Sequence, residues 1–235
     1  RGGPMSKKLP EGWCSKQLAE ISIRIMVGIA SAATHAYSAT GVRLLRNLNI
    51  KEGWIDESDV IYINQEYENI HRNKRLKQGD IVTVRTGYPG LSAVIPQKLE
   101  GAQCFTSLIT RLNKRIVLPE YVCTYINSEF GRNLITAGEA GGAQKNVNAG
   151  TLEKIVIPIP PLLEQQKIAN SLSIWDAGID CVQKLRENSR QQKKALVQQL
   201  LTGKKRLPGF SGEWKLEILS TLFKRVNTRN QGQST

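Results

Sequence analysis

The side chains best suited to catalysis are few in this 235-residue chain and do not cluster. The two histidines, His35 and His71, are not in an H-E-x-x-H or related spacing that would bind zinc. The acidic residues are scattered, whereas a metal-dependent nuclease needs clustered carboxylates. The sequence contains no P-loop, no G-x-S-x-G elbow and no G-x-G-x-x-G turn after a strand. We therefore predict a binding protein and not an enzyme, with no catalytic residues, no metal and no cofactor.

The cysteines are also unsuited to a metal site or a disulfide framework, because no C-x-x-C pair occurs. Their spacing predicts free, mostly buried thiols in a cytosolic protein. The four residues are Cys14, Cys104, Cys123 and Cys181. No apolar run is long enough to cross a membrane, and the start of the chain lacks the apolar core of a signal peptide. The predicted location is the cytoplasm.

Basic residues dominate the charge of the chain. Its 33 Lys and Arg against 20 Asp and Glu give a net charge of +13 and a pI near 9.7. Because the excess is spread through the chain, it favours nucleic acid over a membrane as partner. A basic protein with no role on nucleic acid is the alternative that composition leaves open. The densest run, HRNKRLK from His71 to Lys77, predicts a solvated helix face or a contact with phosphate.

Alternating apolar and polar residues predict a β-rich first half. DIVTVR and LSAVIP read as strands joined by the turn T-G-Y-P-G, which presents Arg85, Thr86 and Tyr88, and CFTSLITRL reads as a third strand. Residues 41–63 read as strands with a basic exposed side. LPEYVCTYINSEFGRNLITAG has helical spacing, with an apolar face made of Val122, Tyr125, Ile126, Phe130 and Leu134. The pattern predicts an α+β globule with a mixed or antiparallel sheet.

A strand, a proline break and one very long helix follow. The strand covers Ile155 to Ile159, Pro160 and Pro161 end it, and no proline interrupts the helix before Gly203, a fitting C-cap. At about 1.5 Å per residue the helix is roughly 60 Å long. Its apolar residues step by four and three, as in a coiled coil, and resume after a polar stretch. We predict that this seam packs against a partner helix: Ile168, Leu172, Trp175, Ile179 and Val182, then Leu196 and Leu200. A helix packed on its own domain is the alternative.

The end of the chain repeats its start. Trp13, Leu18 and Ile21 recur 201 residues later as Trp214, Leu219 and Leu222, and a Leu-Pro pair precedes each set. We interpret this echo as an internal repeat. The predicted organisation is a tag or disordered start (1–8), a globular α+β domain (9–159), a spacer and dimerisation helix (160–203) and a stub of a second half repeat (204–235).

These segments together resemble the specificity subunits of type I restriction–modification systems. The resemblance rests on LPEGW, GVRLLRNLNIKEGWI, LKQGDIVTVRTGYPG and above all LEKIVIPIPPLLEQQKIANSL before the long helix. It implies two target-recognition domains, each reading half of a split DNA site, with two antiparallel helices as a ruler between them. It also implies docking of modification subunits that methylate adenine, and of restriction subunits. This chain carries one such domain and one helix, so we expect a half subunit or a truncated one that dimerises in an antiparallel coiled coil.

If the resemblance holds, double-stranded DNA meets residues on turns and basic segments. The residues predicted to contact DNA are Arg43, Arg46, Lys74, Arg75, Arg85, Thr86, Tyr88, Lys145 and Asn146. Another hypothesis remains open: a coiled-coil scaffold or decoy that captures the methyltransferase subunit without directing it to a site.

Overall fold

The computed structural model describes residues 9–137, 147–215 and 217–223. It divides into two compact units, Arg1–Ile174 and Trp175–Thr235. The strands are β1 (Cys14–Gln17), β2 (Ser22–Val27), β3 (Tyr37–Ser38), β4 (Val42–Leu45), β5 (Ile61–Ile63), β6 (Ile81–Thr83), β7 (Ser92–Val94), β8 (Gln103–Cys104), β9 (Leu108–Leu112) and β10 (Val156–Ile159). The helices are α1 (Leu18–Ile21), α2 (Gln65–Ile70), α3 (Pro119–Asn127), α4 (Glu129–Ala137), α5 (Ala149–Glu153), α6 (Leu162–Leu201) and α7 (Leu219–Leu222).

The first unit contains three sheets. One is antiparallel throughout, in the order β2-β9-β6-β7. A second has the order β3-β5-β4-β8 and is mixed, because β4 and β8 run parallel. The third pairs β1 with β10, so the start of the described chain lies beside the strand that leads into α6. The predicted α+β class, with a mixed or antiparallel sheet before a long helix, is confirmed.

The sheet β2-β9-β6-β7 is buried on both faces. Successive side chains in a strand point to opposite faces. Accordingly Ile81 and Leu108 belong to one core, with α3 and α5, while Val82 and Ile109 belong to a second core with β7 and β8. This explains why DIVTV and LITRL read as almost continuous apolar runs. A third, smaller core lies around β4 and β5.

The single helix predicted after Leu118 is wrong, because Ser128 divides it into α3 and α4. Ser128 has an extended backbone (φ −64°, ψ 161°), and its hydroxyl donates to the Tyr125 carbonyl oxygen and accepts from the Gly131 N–H. The break turns α4, so Phe130 and Leu134 are exposed and Ile135 is buried instead.

One stretch of residues 41–63 also differs from the predicted strands. Asn47–Asn49 forms a 3₁₀ turn. The Asn49 side chain accepts from the Arg46 N–H (2.8 Å) and donates to the carbonyl oxygens of Asp56 (3.0 Å) and Asp59 (3.1 Å). The fully buried Asn49 thus organises the loop, and Leu48 is exposed.

The proline break and the long helix lie where the sequence predicts them. α6 begins at Leu162 and ends at Leu201, and Gly203 follows in the left-handed region at φ 72°, the conformation that favours glycine at a C-cap. Its first turns pack on the first unit: Gln165 is fully buried, and Ile168 packs against the core that contains α3. The exposed part of the predicted seam therefore begins at Leu172.

The sequence repeat at an offset of 201 residues has a structural counterpart. α1 contains Leu18 and Ile21, and α7 has Leu219 and Leu222 at the same positions. The residue before each helix is extended, and so is the residue after it. Leu18 and Ile21 are fully buried, whereas Leu219 and Leu222 are 73% and 63% exposed. The same local structure thus recurs, packed in the first position and exposed in the second.

Candidate nucleic-acid interface

The turn between β6 and β7 carries the most exposed side chain among the residues predicted to contact DNA that the structure describes. Tyr88 lies near its tip and is 78% exposed. Gly87 (φ 88°) and Gly90 (φ 90°) provide the left-handed conformations that the turn requires. Below the tip, the Val84 N–H donates to the Leu91 carbonyl oxygen (2.8 Å) and closes the hairpin.

Neighbouring segments hold the base of this turn. The Asn47 amide donates to Thr86 Oγ1 (3.2 Å) and accepts from the Ser107 hydroxyl (2.8 Å). On the other side, the Val147 N–H donates to the Arg85 carbonyl oxygen (3.0 Å), and Arg85 Nε donates to the Val147 carbonyl oxygen (3.2 Å). Arg85 and Thr86 therefore have polar groups engaged within the domain, while Tyr88 extends from a braced support.

Buried polar contacts extend this bracing into the sheet. The Thr83 and Ser92 hydroxyls are 2.8 Å apart. The Asn127 side chain accepts from the Ser92 N–H (3.0 Å) and donates to the Ser92 carbonyl oxygen (2.8 Å). Sequence patterns did not single out Asn47 or Asn127, because their role depends on partners at least 35 residues away in the chain.

Arg43 lies on β4 and Arg46 directly follows it. The side chain of each forms contacts within the domain. Arg43 donates to the Lys98 carbonyl oxygen (2.8 Å). Arg46 forms an ion pair with Asp59 (2.7 Å) and also donates to the Asp59 carbonyl oxygen (2.8 Å). Both residues are partly exposed.

Lys74 and Arg75 belong to a different cluster. Lys74 Nζ donates to the Gly28 carbonyl oxygen (2.9 Å), and Arg75 forms a bidentate ion pair with the fully buried Glu68. Hydrogen bonding from Arg75 lowers the pKa of Glu68 below its ordinary value. Burial lowers the pKa of the adjacent His71. Only part of the basic run is therefore a solvated face, since Arg75 holds together α2 and the segment that follows it.

Lys145 and Asn146 lie outside the described residues. Val147, the first described residue after them, is the one that bonds Arg85.

The described residues contain no group of three or more His, Cys, Asp or Glu side chains placed to hold a metal ion. Within the same ranges, no helix is long and apolar enough to cross a membrane. The four cysteines are free thiols, but only Cys104 and Cys123 are buried, so the expectation of mostly buried thiols holds for half of them. Burial raises the pKa of each of these two thiols to about 12.

The predicted helix seam is exposed over most of its length. Trp175, Ile179 and Val182 are 73%, 55% and 64% exposed, and Leu172 and Leu196 are exposed to a smaller extent. Leu200 is partly buried.

The family model for the type I restriction modification DNA specificity domain matches residues 40–188, which include both the braced turn and the first part of α6. The chain belongs to the type I specificity family. It is 26% identical over 201 residues to the StySPI specificity subunit of Salmonella potsdam, covering 83% of this chain and 42% of that protein. It is 25% identical over 229 residues to the EcoKI specificity subunit of Escherichia coli K12, covering 94% and 48%.

Solved structures share the fold. The HsdS subunit of Thermoanaerobacter tengcongensis superposes with a TM-score of 0.60 at 23% identity, over 88% of this chain and 53% of that one. A chain from a study of the assembly and conformational transition of a type I system superposes with a TM-score of 0.62 at 24% identity, with the same coverage of both chains. The chain thus spans about half the length of the specificity subunits that it matches.

Proposed function

We propose that this chain is a DNA-reading subunit that recognises one half of a bipartite site and brings the adenine methyltransferase subunit, and a restriction subunit, to it. The family match over residues 40–188 carries the proposal. The braced turn with Tyr88 supports it, because an exposed aromatic ring on a rigid turn can reach base edges. Catalysis and any cofactor belong to the partner subunits in this proposal, and a role on cellular DNA implies the cytoplasm.

The proposed contacts divide into two classes. Tyr88, Arg85 and Thr86 read bases or bind the adjoining backbone, and Arg43 and Arg46 add positive charge near them. Lys145 and Asn146 remain proposed contacts on sequence grounds. Lys74 and Arg75 have the least support as DNA contacts, since their cationic groups bond the Gly28 carbonyl oxygen and the Glu68 carboxylate.

Duplex binding at several salt concentrations tests the DNA-reading role. With the modification subunit present, we expect preference for one sequence over unrelated duplexes. If each half contacts about three phosphates, affinity falls roughly 40-fold between about 50 and 200 mM salt. Binding that remains indifferent to sequence would rule out the reading role.

The alternative function is a decoy that captures the methyltransferase subunit. The exposed helix seam favours it, because an apolar helix face can bind a partner subunit without directing it to a DNA site. A decoy lowers methylation by a complete specificity subunit when both are expressed, whereas a reading subunit adds methylation at its own sites.

Self-association through α6 completes the proposal, because one recognition domain reads only half of a split site. We expect a dimer by light scattering at micromolar concentration and a monomer for Trp175→Glu, which places a charge in the seam. Trp54→Glu is the matched control, since Trp54 is similarly exposed but lies in the recognition domain. A wild-type chain that stays monomeric would contradict the dimer.

A further inference from the structure

The seam of α6 keeps one heptad register along the whole second half of the helix. Steps of three and four from Trp175 lead through Ile179, Val182, Arg186, Ser189, Lys193 and Leu196 to Leu200. The apolar residues past the polar stretch are therefore in phase with those before it. All these side chains except Leu200 are exposed. The seam has two apolar ends and a polar centre made of Arg186, Ser189 and Lys193.

A seam with apolar ends and a polar centre can pair with an identical helix that runs in the opposite direction. In an antiparallel pair of identical helices, residue i contacts residue j and residue j contacts residue i. Each apolar end then meets the opposite apolar end of the other helix. A partner with an unbroken apolar seam would instead set the polar groups of Arg186 and Ser189 against aliphatic side chains, which is costly.

We propose that two copies of this chain pair antiparallel about an axis between Glu187 and Asn188, with the polar centre fixing the register. This inference rests on the proposed self-association and specifies its geometry. Trp175 of one copy packs against Leu200 of the other, and Ile179 packs against Leu196. Arg186 faces Ser189, and Lys193 lies beside Val182, where its long aliphatic stem covers the valine while the ammonium reaches solvent.

Other registers match the seam less well. A short overlap, with Trp175 opposite Ile179, leaves Leu196 and Leu200 without partners. A shift by one heptad sets Lys193 opposite Trp175 and requires Ile168 opposite Leu200, but Ile168 already packs on its own domain. Polar residues at core positions are known determinants of coiled-coil register, at a cost in stability.

The register has a functional consequence. A shift by one heptad changes the separation of equivalent points on the two helices by about 10.5 Å, since each residue rises about 1.5 Å. That distance is about three base pairs of B-form DNA. The polar centre therefore determines the spacing between the half-sites that a dimer can span.

Disulfide trapping in the full chain tests the register. All variants carry Cys14→Ser and Cys181→Ser, which remove the two exposed thiols. The pair Ile179→Cys with Leu196→Cys reports the proposed register, Trp175→Cys with Ile179→Cys the short overlap, and Leu172→Cys with Leu196→Cys the one-heptad shift. Under mild oxidation we expect a covalent dimer from the first pair, with each single-cysteine variant as its control.

A measurement that leaves the seam intact complements the trapping. A spin label at Gln198→Cys, on the outer side of the helix, has an axial separation between copies of about 32 Å in the proposed register. The one-heptad shift gives about 42 Å and the short overlap about 63 Å. Either of these longer distances, or trapping by another pair, overturns the register and leaves the dimer standing. A chain that is monomeric and untrapped overturns both.

Discussion

We propose that the exposed ring of Tyr88 contacts DNA. Its ring is exposed, while Arg85, Thr86 and the hairpin hydrogen bonds below it are fixed by Asn47, Val147 and Leu91. A rigid support reduces the entropy lost when a side chain binds. The sequence could identify the turn from its glycines and proline. It could not identify Asn47, whose partners Thr86 and Ser107 are 39 and 60 residues away in the chain.

Replacing Tyr88 tests this assignment at the residue scale. We expect Tyr88→Ala to weaken binding to the preferred duplex by about tenfold, with little effect on an unrelated duplex, because a base contact contributes about 1–3 kcal/mol. Fluorescence anisotropy with both duplexes measures it. Tyr37→Ala, at another exposed tyrosine, is the control. An equal loss for both duplexes would mean that Tyr88 does not read sequence.

The buried Glu68 makes stability depend on pH. Its pKa is lowered by Arg75 from an ordinary value of 4.5, so its contribution is present above pH 4.5 and is lost as pH falls through the folded-state pKa. The lowered pKa of His71 acts in the same direction below its ordinary value of 6.5. The domain therefore loses stability on acidification.

Urea unfolding of wild type and Glu68→Gln between about pH 3 and pH 8 measures the effect. At neutral pH we expect a loss of about 1–3 kcal/mol, since a buried charge-assisted pair is broken and Arg75 is only partly screened by solvent. The difference from wild type should shrink as pH falls below 4.5. Glu66→Gln, on the exposed side of α2, is the control. A constant difference across this range would contradict the assigned role.

At the scale of elements, the join between domain and helix depends on Gln165. Its side chain accepts from the Leu118 N–H (2.9 Å) and donates to the carbonyl oxygens of Pro160 (2.8 Å) and Ile116 (3.2 Å). Beside it, Trp13 Nε1 donates to Glu164 (3.2 Å). The bond from Trp13 to Glu164 holds the LPEGW stretch against the PPLLEQ stretch in this fold.

Gln165→Ala tests the join. It leaves the partly buried Leu118 N–H without its acceptor, so we expect a loss of about 1–3 kcal/mol in the free energy of unfolding. Gln166→Ala is the matched control, because the Gln166 amide donates to the exposed Asn170 one turn later. Hydrogen exchange at Leu118 should accelerate in the first variant and not in the second. Unchanged exchange at Leu118 would show that Gln165 does not hold this join.

Elements whose cause is local were predictable. β10 ends at Ile159, directly before Pro160 and Pro161, and the glycines of the β6–β7 turn act through their own backbone. The helix break at Ser128 was not predictable, because apolar spacing continues across it. The break is fixed by a hydrogen bond from the Ser128 hydroxyl to the Tyr125 carbonyl oxygen. Nor was the pairing of Arg75 with Glu68, because a charge run does not reveal which of its members is buried.

At the scale of the whole molecule, one recognition domain and one long helix make up about half of a specificity subunit. The repeat from α1 to α7 and the self-complementary seam both suit a two-fold arrangement of reading domains. Two identical domains related by an axis read inverted copies of the same half-site. For the proposed dimer we therefore predict a palindromic site with a fixed spacer.

Mapping adenine methylation at base resolution, in cells that express the modification subunit with and without this chain, tests that claim most directly. We predict methylation at one palindromic bipartite sequence with a constant spacer, only when the chain is present, and its loss in Trp175→Glu. Methylation that is the same with and without the chain, or that follows no bipartite sequence, would contradict the account.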